Sequence, residues 1–349
     1  MADEARVTSL KSLAPARYRV ATRGEVNLAT RTVELTQAQV EGAPGQVTAR
    51  GTYAIRTGAF EYAGAASFAR LSDVAPLTGS ARGQWTVKRS SRDAPIRIST
   101  DAMGQRVSSR IETLAQLSGP SPAVKITGVV RDGRFVLESG SFRGEGVIAD
   151  MTGRITDGGI VTGRATGSLA RPLDLPGASI ASLAFAADVS GRLSAPRIDA
   201  RLSEGAVSVA GVNIDRIVGE AQASLGDGIA GDFSLSGGSK GQPMVAAGRL
   251  EGGGGDWSIV NLNARLGGLQ IRAPRLAYAD GVFDASFDAS GSLAGIAGLD
   301  RGTLTATGAV SSGENLKLDI TGQVANLRRE QMRVELVAFE AHAADDAAT

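Results

Sequence analysis

The feature that most constrains the fold of this chain is a strict alternation of apolar and polar residues that begins at Ser182. Leu183, Phe185, Ala187 and Val189 occupy every second position, with serine, alanine and aspartate between them. Successive side chains of a β-strand point to opposite faces of the sheet, so this run predicts a strand with one apolar and one polar face.

The residues that follow contain the signals that turn the chain. Gly191 ends the first alternation, Ser194–Pro196 predicts a bend, and Ile198 and Leu202 belong to a second short strand. A tight turn at Glu204-Gly205 precedes a third alternation. Strand, bend, strand, turn and strand together predict an antiparallel meander rather than a βαβ unit.

Most of the chain repeats this arrangement, with turn signals about every 8–12 residues, a spacing typical of all-β proteins. We therefore predict an all-β fold: an elongated, mostly antiparallel repeating sheet that curls into a groove with a hydrophobic interior. The predicted organisation is a loose segment at residues 1–17, one continuous repeating region at 18–340, and a disordered acidic tail at 341–349.

Three segments depart from the alternation and are predicted to cross the sheet: Phe68–Gly83, Arg171–Pro176 and Ser290–Gly302. The segment before Gly119 is predicted to be either a loop or a short amphipathic helix. The helical spacing of Val107, Ile111, Leu114 and Leu117 indicates the helix. The Asp-Gly pairs that begin at Asp132 and Asp157 predict type I′ hairpin turns, since both central positions of such a turn need positive φ.

Composition narrows the classes of function. Apolar residues make up 42% of the chain, which is enough for a folded protein, but aromatics are only 4% and 46 residues are glycine. Basic and acidic residues are balanced at 37 and 36, so no strong positive field is available to attract nucleic acid. The chain has no cysteine, no apolar core of a signal peptide near its start, and no apolar run of ~18 residues that would cross a bilayer as a helix.

Motifs for catalysis, metal binding or cofactor binding are weak. The single histidine, His342, stands in the acidic tail, so no Ser-His-Asp arrangement or histidine-rich metal site is predicted. Gly144–Ala149 matches the spacing of a dinucleotide fingerprint, but Gly153 would interrupt the helix that this fingerprint requires, so we interpret it as a turn. The Gly252–Gly255 run lacks the Lys-Ser/Thr of a phosphate loop.

Aspartates that precede glycine are turn formers before they are calcium ligands; they are Asp132, Asp157 and Asp227. We accordingly predict no catalytic residue, no metal and no cofactor.

The apolar members of the alternating strands are the candidate functional residues. They are Leu183, Phe185, Val189, Val207, Val209, Phe233, Phe283, Phe287, Leu316, Leu318 and Ile320. One interpretation places them in the core of a closed sandwich or solenoid, and the other makes them the lining of a groove for acyl chains. Roughly 100 such side chains, each worth ~1.5–3 kcal/mol on burial, need cover of some kind, and pattern alone does not separate the two outcomes.

Three stretches resemble the TamB family of translocation and assembly module proteins, part of the AsmA-like group of Gram-negative bacteria. They are Ser182–Ser224, with the phrase VSGRLSAPRIDARLSEGAVSVAGVNIDRI, Ala66–Val87 (ASFARLSDVAPLTGSARGQWTV) and Phe283–Val310 (FDASFDASGSLAGIAGLDRGTLTATGAV). The resemblance implies a periplasmic protein anchored in the inner membrane, whose repeats form a "β-taco" groove that carries phospholipid toward the outer membrane. It also implies support for outer-membrane β-barrel assembly with a barrel partner, TamA.

Proteins of this family are longer and carry a membrane helix and a terminal domain that this chain does not match, so we expect an internal part of such a protein. The leading hypothesis from the sequence is a non-enzymatic lipid conduit that binds phospholipid acyl chains. The rival is a structural or adhesive β-solenoid, similar to a secreted passenger domain, with a closed core.

Overall fold

The structure, a computed structural model, describes residues 19–344 except 74–76, 110–111, 176–177, 210–211, 227, 254–255, 297 and 313–315. Contacts within the chain divide it into two units, Met1–Arg171 and Pro172–Thr349. The predicted loose segment at 1–17 lies outside the described residues. The single continuous region at 18–340 remains a prediction.

The described residues of the first unit form ten strands, one α-helix and a single 3-10 turn at Leu71–Asp73. The strands are β1 (Arg19–Asn27), β2 (Thr32–Gly42), β3 (Gly45–Ala54), β4 (Phe60–Phe68), β5 (Thr78–Arg89), β6 (Ile96–Ser108), β7 (Ala123–Arg131), β8 (Arg134–Arg143), β9 (Val147–Ile155) and β10 (Ile160–Leu169). The helix α1 (Glu112–Ser118) stands between β6 and β7.

The described residues of the second unit form twelve strands. They are β11 (Leu173–Leu175), β12 (Ala178–Arg192), β13 (Ala195–Val209), β14 (Val212–Leu225), β15 (Ile229–Ser239), β16 (Gln242–Gly253), β17 (Asp256–Leu266), β18 (Leu269–Ala279), β19 (Val282–Ser292), β20 (Arg301–Ser312), β21 (Leu316–Arg329) and β22 (Met332–Ala344).

Within each unit, every strand pairs antiparallel with the next strand in the sequence. All 22 strands of the described part belong to one sheet, which does not close into a barrel. The prediction of an all-β fold built on a repeating antiparallel sheet is confirmed, and this open sheet is consistent with a curled groove.

Hairpin turns follow the sequence signals with two exceptions. No turn forms at Glu204-Gly205, because both residues lie within the continuous strand β13, and that prediction is wrong. Asp132 and Gly133 both have positive φ, 49° and 70°, as a type I′ turn requires, and this prediction is confirmed. At Asp157-Gly158 the turn is longer: the amide of Thr156 donates to the carbonyl of Ile160, and only Gly159 has positive φ. The type I′ prediction is therefore wrong there.

Bulges bend several strands. The pairing register of β13 shifts between Leu202 and Gly205, where Glu204 has a φ of 54°, and that of β14 shifts around Arg216, with a φ of 55°. One extra residue on a strand bends it and strengthens its twist. The bulge in β13 also changes which residues share a face. After it, Gly205 and Val207 lie on the same face as Leu202, although regular alternation would place Glu204 and Ala206 there.

The described residues of the three irregular segments belong partly to strands and otherwise to the connections between them, and that they cross the sheet remains a prediction. Residues 69–77 join β4 to β5, and residues 293–300 join β19 to β20, and both are pairs of neighbouring strands. The segment Arg171–Pro176 contains the short strand β11, which pairs with β12.

The predicted helix near Gly119 exists but is shorter than the apolar spacing indicates. Val107 lies in β6 and is buried, Ile111 lies outside the described residues, and α1 contains Leu114 and Leu117. The amides of Glu145 and Gly146 donate to the carbonyls of Ser118 and Leu117, at 3.1 and 3.0 Å. These bonds tie the end of α1 to the turn between β8 and β9.

The predicted disordered tail at 341–349 is wrong for its first four residues. Strand β22 continues to Ala344, and Ile320 and Asp319 of β21 pair with Ala341 and His342. His342 is exposed but belongs to a strand. Residues 345–349 lie outside the described residues.

Candidate functional site

One face of the sheet in the second unit is apolar without interruption. A central row, defined by cross-strand pairing, contains one residue from each of the eleven strands β12–β22. These are Phe185, Leu202, Gly219, Leu235, Ala246, Ala264, Ile271, Ala289, Ala306, Gly322 and Phe339. At ~4.8 Å between strands, ten steps extend over about 48 Å, and none of these side chains carries a polar atom.

A second row runs parallel to the first, four residues away along most strands and five residues away along β17 and β18. It contains Val189, Ile198, Ala223, Gly231, Leu250, Ile259, Leu276, Ala285, Val310, Leu318 and Ala343. Two parallel rows without a polar side chain define the apolar face of the second unit.

The first unit has an apolar face of the same kind. One row across β1–β10 contains Val20, Val40, Val47, Ala66, Gly83, Ala102, Val124, Phe142, Ala149 and Gly167. A parallel row contains Gly24, Leu35, Gly51, Tyr62, Val87, Ile98, Gly128, Leu137, Gly153 and Gly163. The hydroxyl of Tyr62 is the only polar side-chain group in these two rows.

Burial distinguishes the two faces of the sheet. Along β16, residues alternate regularly between half-buried apolar positions and exposed ones, and β5 and β9 show the same pattern. No large side chain in the described part of the chain is fully buried. A second sheet packed about 10 Å above the apolar face would bury its side chains completely. In both units the described residues therefore leave the apolar face open.

The opposite face carries charged pairs. Arg201 lies 3.6 Å from Glu220, and Arg249 lies 3.4 Å from Asp232 and 2.9 Å from Glu251. The hydrogen bond to Glu251 and the charge of Asp232 raise the pKa of Arg249 above its usual value. Exposed pairs of this kind contribute about 0–1 kcal/mol each, so they keep this face wetted rather than hold the sheet together.

Aromatic rings on the apolar face lie over glycines of the neighbouring strand. A β-carbon placed on Gly308 would stand 2.8 Å from Cζ of Phe287, and one on Gly322 would stand 2.6 Å from Cζ of Phe339. In the first unit, the ring of Phe135 covers Gly128 in the same way. Rings that lie down on the backbone cover the glycines and leave a smooth surface at these places.

The structure brings most of the predicted site residues together on the apolar face of the second unit. Those that lie there, half-buried, are Leu183, Phe185, Val189, Val207, Phe233, Phe283, Phe287, Leu318 and Ile320. Val209 and Leu316 occupy strand positions in β13 and β21. Their role as a lipid lining remains a prediction.

The sequence analysis named no lining residue in the first unit, although the signal was present. Trp85 and Val87 alternate in β5, and Val124 and Ile126 alternate in β7, as clearly as the residues of β12. The small members of the rows, such as Ala264, are also part of the site. They are invisible to a search for large apolar side chains.

The described residues offer little for catalysis or metal binding. No group of three or more His, Asp or Glu side chains there could hold a metal ion. His342 has Nε2 2.8 Å from Oε1 of Glu340 and Nδ1 3.4 Å from Oδ1 of Asp319. The hydrogen bond to Glu340 and the charge of Asp319 raise the pKa of His342.

The glycine-rich motif at Gly144–Ala149 is a turn, as predicted. The amide of Gly144 donates to the carbonyl of Val147 at 2.8 Å, and the strand β9 begins at Val147 where a dinucleotide site needs a helix. In the Gly252–Gly255 run, Gly252 and Gly253 end β16, and residues 254–255 lie outside the described residues. Asp227 also lies outside them.

None of the helices in the described part of the chain is long and apolar enough to cross a membrane. Comparisons with family models, with curated proteins and with solved structures find no match to this chain. Function is therefore inferred from the site itself.

Proposed function

We propose that this chain is a non-enzymatic lipid conduit, in which phospholipid acyl chains lie on the apolar face and headgroups stay at the rim. The observation that carries the proposal is that each unit has its own open apolar face, which crosses eleven strands in the second unit and ten in the first. Each methylene transferred from water to such a surface gains about 0.8 kcal/mol.

Two further features support a conduit over a binding pocket. Rows of the same apolar character continue from strand to strand, so a chain that moves along them exchanges one apolar contact for another. Rings such as Phe287 lie over glycines, which leaves a smooth surface without a polar group that would hold a ligand in one place.

The cellular setting that we propose comes from the resemblance of the three repeat stretches to the TamB family. It is the periplasm of a Gram-negative cell, between an inner-membrane anchor and the outer membrane. There the chain would supply phospholipid for outer-membrane biogenesis and support barrel assembly and protein secretion with a TamA-like partner.

The proposal is tested by purifying the protein from cells and measuring co-bound phospholipid by mass spectrometry. Phe185→Asp and Phe283→Asp place a charge on the apolar face and are expected to remove the lipid while the strand signal in circular dichroism persists. Ser286→Asp, on the polar face of the same strand as Phe283, is the matched control and is expected to retain the lipid.

Two outcomes contradict the proposal. Unfolding of both phenylalanine variants, with Ser286→Asp stable, would favour the rival interpretation, a structural scaffold whose apolar residues serve as core. Retention of phospholipid at the wild-type level by the folded variants would place the lipid elsewhere on the protein.

A further inference from the structure

The two long rims of the apolar face in the second unit differ in how they are built. Strands β13–β22 place one set of hairpin turns on each rim. We define the closed rim by Ile217, Ser239, Leu269 and Leu293, all buried, and the aromatic rim by Leu193, Ile229, Trp257, Tyr278 and Phe283. The closed rim is covered only between β15 and β20, because Val212 and Met332, at the ends of β14 and β22 on the same side, are 42% and 52% exposed.

The closed rim is covered by the loop between β19 and β20, residues 293–300, described except for residue 297. The amide of Leu293 donates to the carbonyl of Gly302 at 2.8 Å, and the amide of Asp300 donates to that of Arg328 at 2.9 Å. A β-carbon on Gly302 would lie 3.4 Å from Cδ1 of Leu293, so this side chain packs down onto the end of β20.

The same loop reaches back across the neighbouring strand ends. The side chain of Gln242, at the start of β16, lies directly against Gly295 of the loop and Gly267 of the turn between β17 and β18. The loop therefore covers the ends of several strands. As a result, Leu269 and Leu293 are each only 8% exposed.

The aromatic rim is open. Leu193 is 59% exposed, Ile229 42% and Trp257 39%. The ring centroids of Trp257 and Tyr278 stand 6.0 Å apart with planes inclined by 19°, and Tyr278 pairs with Phe283 on the next strand. Tryptophan and tyrosine combine an apolar body with a polar tip, and they are enriched where hydrocarbon meets the headgroup layer of a membrane.

We propose that, along strands β15–β20, phospholipid enters and leaves the second unit over the aromatic rim only, with its headgroup at Trp257 and Tyr278 and its acyl chains directed toward the closed rim. This inference rests on the proposed function and adds the rim over which the lipid reaches the apolar face. A strand such as β18, with eleven residues, spans about 35 Å. An acyl chain spans about half of the ~30 Å thickness of the hydrocarbon core of a bilayer, so its length fits between the rims.

The test uses the absence of cysteine from the chain. Ile229→Cys places a thiol at the start of β15, on the aromatic rim, and Lys240→Cys places one in the turn directly after β15, on the closed rim. Each variant is mixed with phosphatidylcholine vesicles that contain phosphatidylethanolamine with a maleimide on its headgroup, and the adduct is followed by intact-protein mass spectrometry. Soluble N-ethylmaleimide measures the intrinsic reactivity of each thiol, and the lipid rate is divided by it.

We expect the normalised rate to be at least about tenfold higher for Ile229→Cys than for Lys240→Cys, a ratio that corresponds to about 1.4 kcal/mol. Equal rates, or a faster reaction at Lys240→Cys, would overturn the inference. Leu193→Cys and Ala294→Cys repeat the comparison at second positions on the two rims, in case a change within β15 prevents folding.

Failure of this inference is distinguishable from failure of the proposed function. If phospholipid copurifies with the wild-type protein and both rims react equally, lipid binds but access is two-sided. If no phospholipid copurifies and neither thiol reacts with the lipid probe, the conduit itself is refuted and the one-sided access with it.

Discussion

The closed rim and the open apolar face of the second unit are made of similar residues but differ in burial. Leu269, and Leu293 of the loop at 293–300, are buried, whereas Phe233 and Phe287 are only half-buried although they are larger. Hydrophobic stabilisation follows the apolar area removed from water. Each large apolar side chain of the closed rim therefore contributes more stability than one of the open face, where buried residues are small, such as Ala289 and Ala306, and the large side chains stay partly exposed.

The largest effect on stability is expected at the closed rim. Leu269→Ala removes a buried side chain and leaves a cavity, which is expected to lower the free energy of unfolding by about 2–3 kcal/mol. Urea denaturation followed by circular dichroism measures the loss. Leu336→Ala, at a side chain 60% exposed on β22, is the control and is expected to change stability by less than about 0.5 kcal/mol. Equal losses would mean that the closed rim is not a core.

A smaller effect on stability is expected on the open face, and its sign is opposite to that expected for an ordinary strand. Glycine in a strand is normally less stable than alanine by about 0.5–1 kcal/mol, so Gly308→Ala would stabilise an ordinary strand. Here the new β-carbon would meet the ring of Phe287, and we expect a destabilisation of about 1–3 kcal/mol by urea denaturation. Adding Phe287→Leu to Gly308→Ala is expected to recover part of the loss. A stabilising Gly308→Ala would show that the ring does not lie over the glycine.

The smallest effect is expected on the polar face of β22. Glu340 and Asp319 raise the pKa of His342 from 6.5, so protonated His342 is favoured in the folded state. The stability that protonated His342 contributes is complete below pH 6.5 and is lost as the pH rises through the raised pKa of His342 in the folded protein. At pH values above 6.5, the urea midpoint of the wild type is expected to decrease slightly relative to that of His342→Gln. Parallel pH profiles for the two proteins would contradict this assignment.

Much of the fold could be predicted because the signals for strands and turns are local. The alternation from Leu183 to Val189 and the Asp132-Gly133 turn depend on neighbouring residues only, and both predictions agree with the structure. The prediction of a disordered tail failed because it depends on distant partners. The end of β22 forms because Asp319 and Ile320 pair with it, and nothing in the acidic composition of the tail indicates that pairing.

The candidate site shows the same division. Alternation identified large residues such as Phe185 and Phe287, but the small residues opposite them emerged only with the register. Gly308 belongs to the site because it stands across from Phe287, and that pairing is set by the hairpin between β19 and β20. A bulge such as that at Glu204 also changes which residues share a face, and alternation alone does not count the extra residue.

The amino-acid sequence by itself determined that the chain forms short antiparallel strands and that each strand has one apolar side, because a strand repeats every two residues. Only the tertiary structure decided which part of that apolar side is buried. Burial depends on a loop that reaches from β19 back to Gln242 of β16, across residues distant in sequence, and it leaves the aromatic rim uncovered.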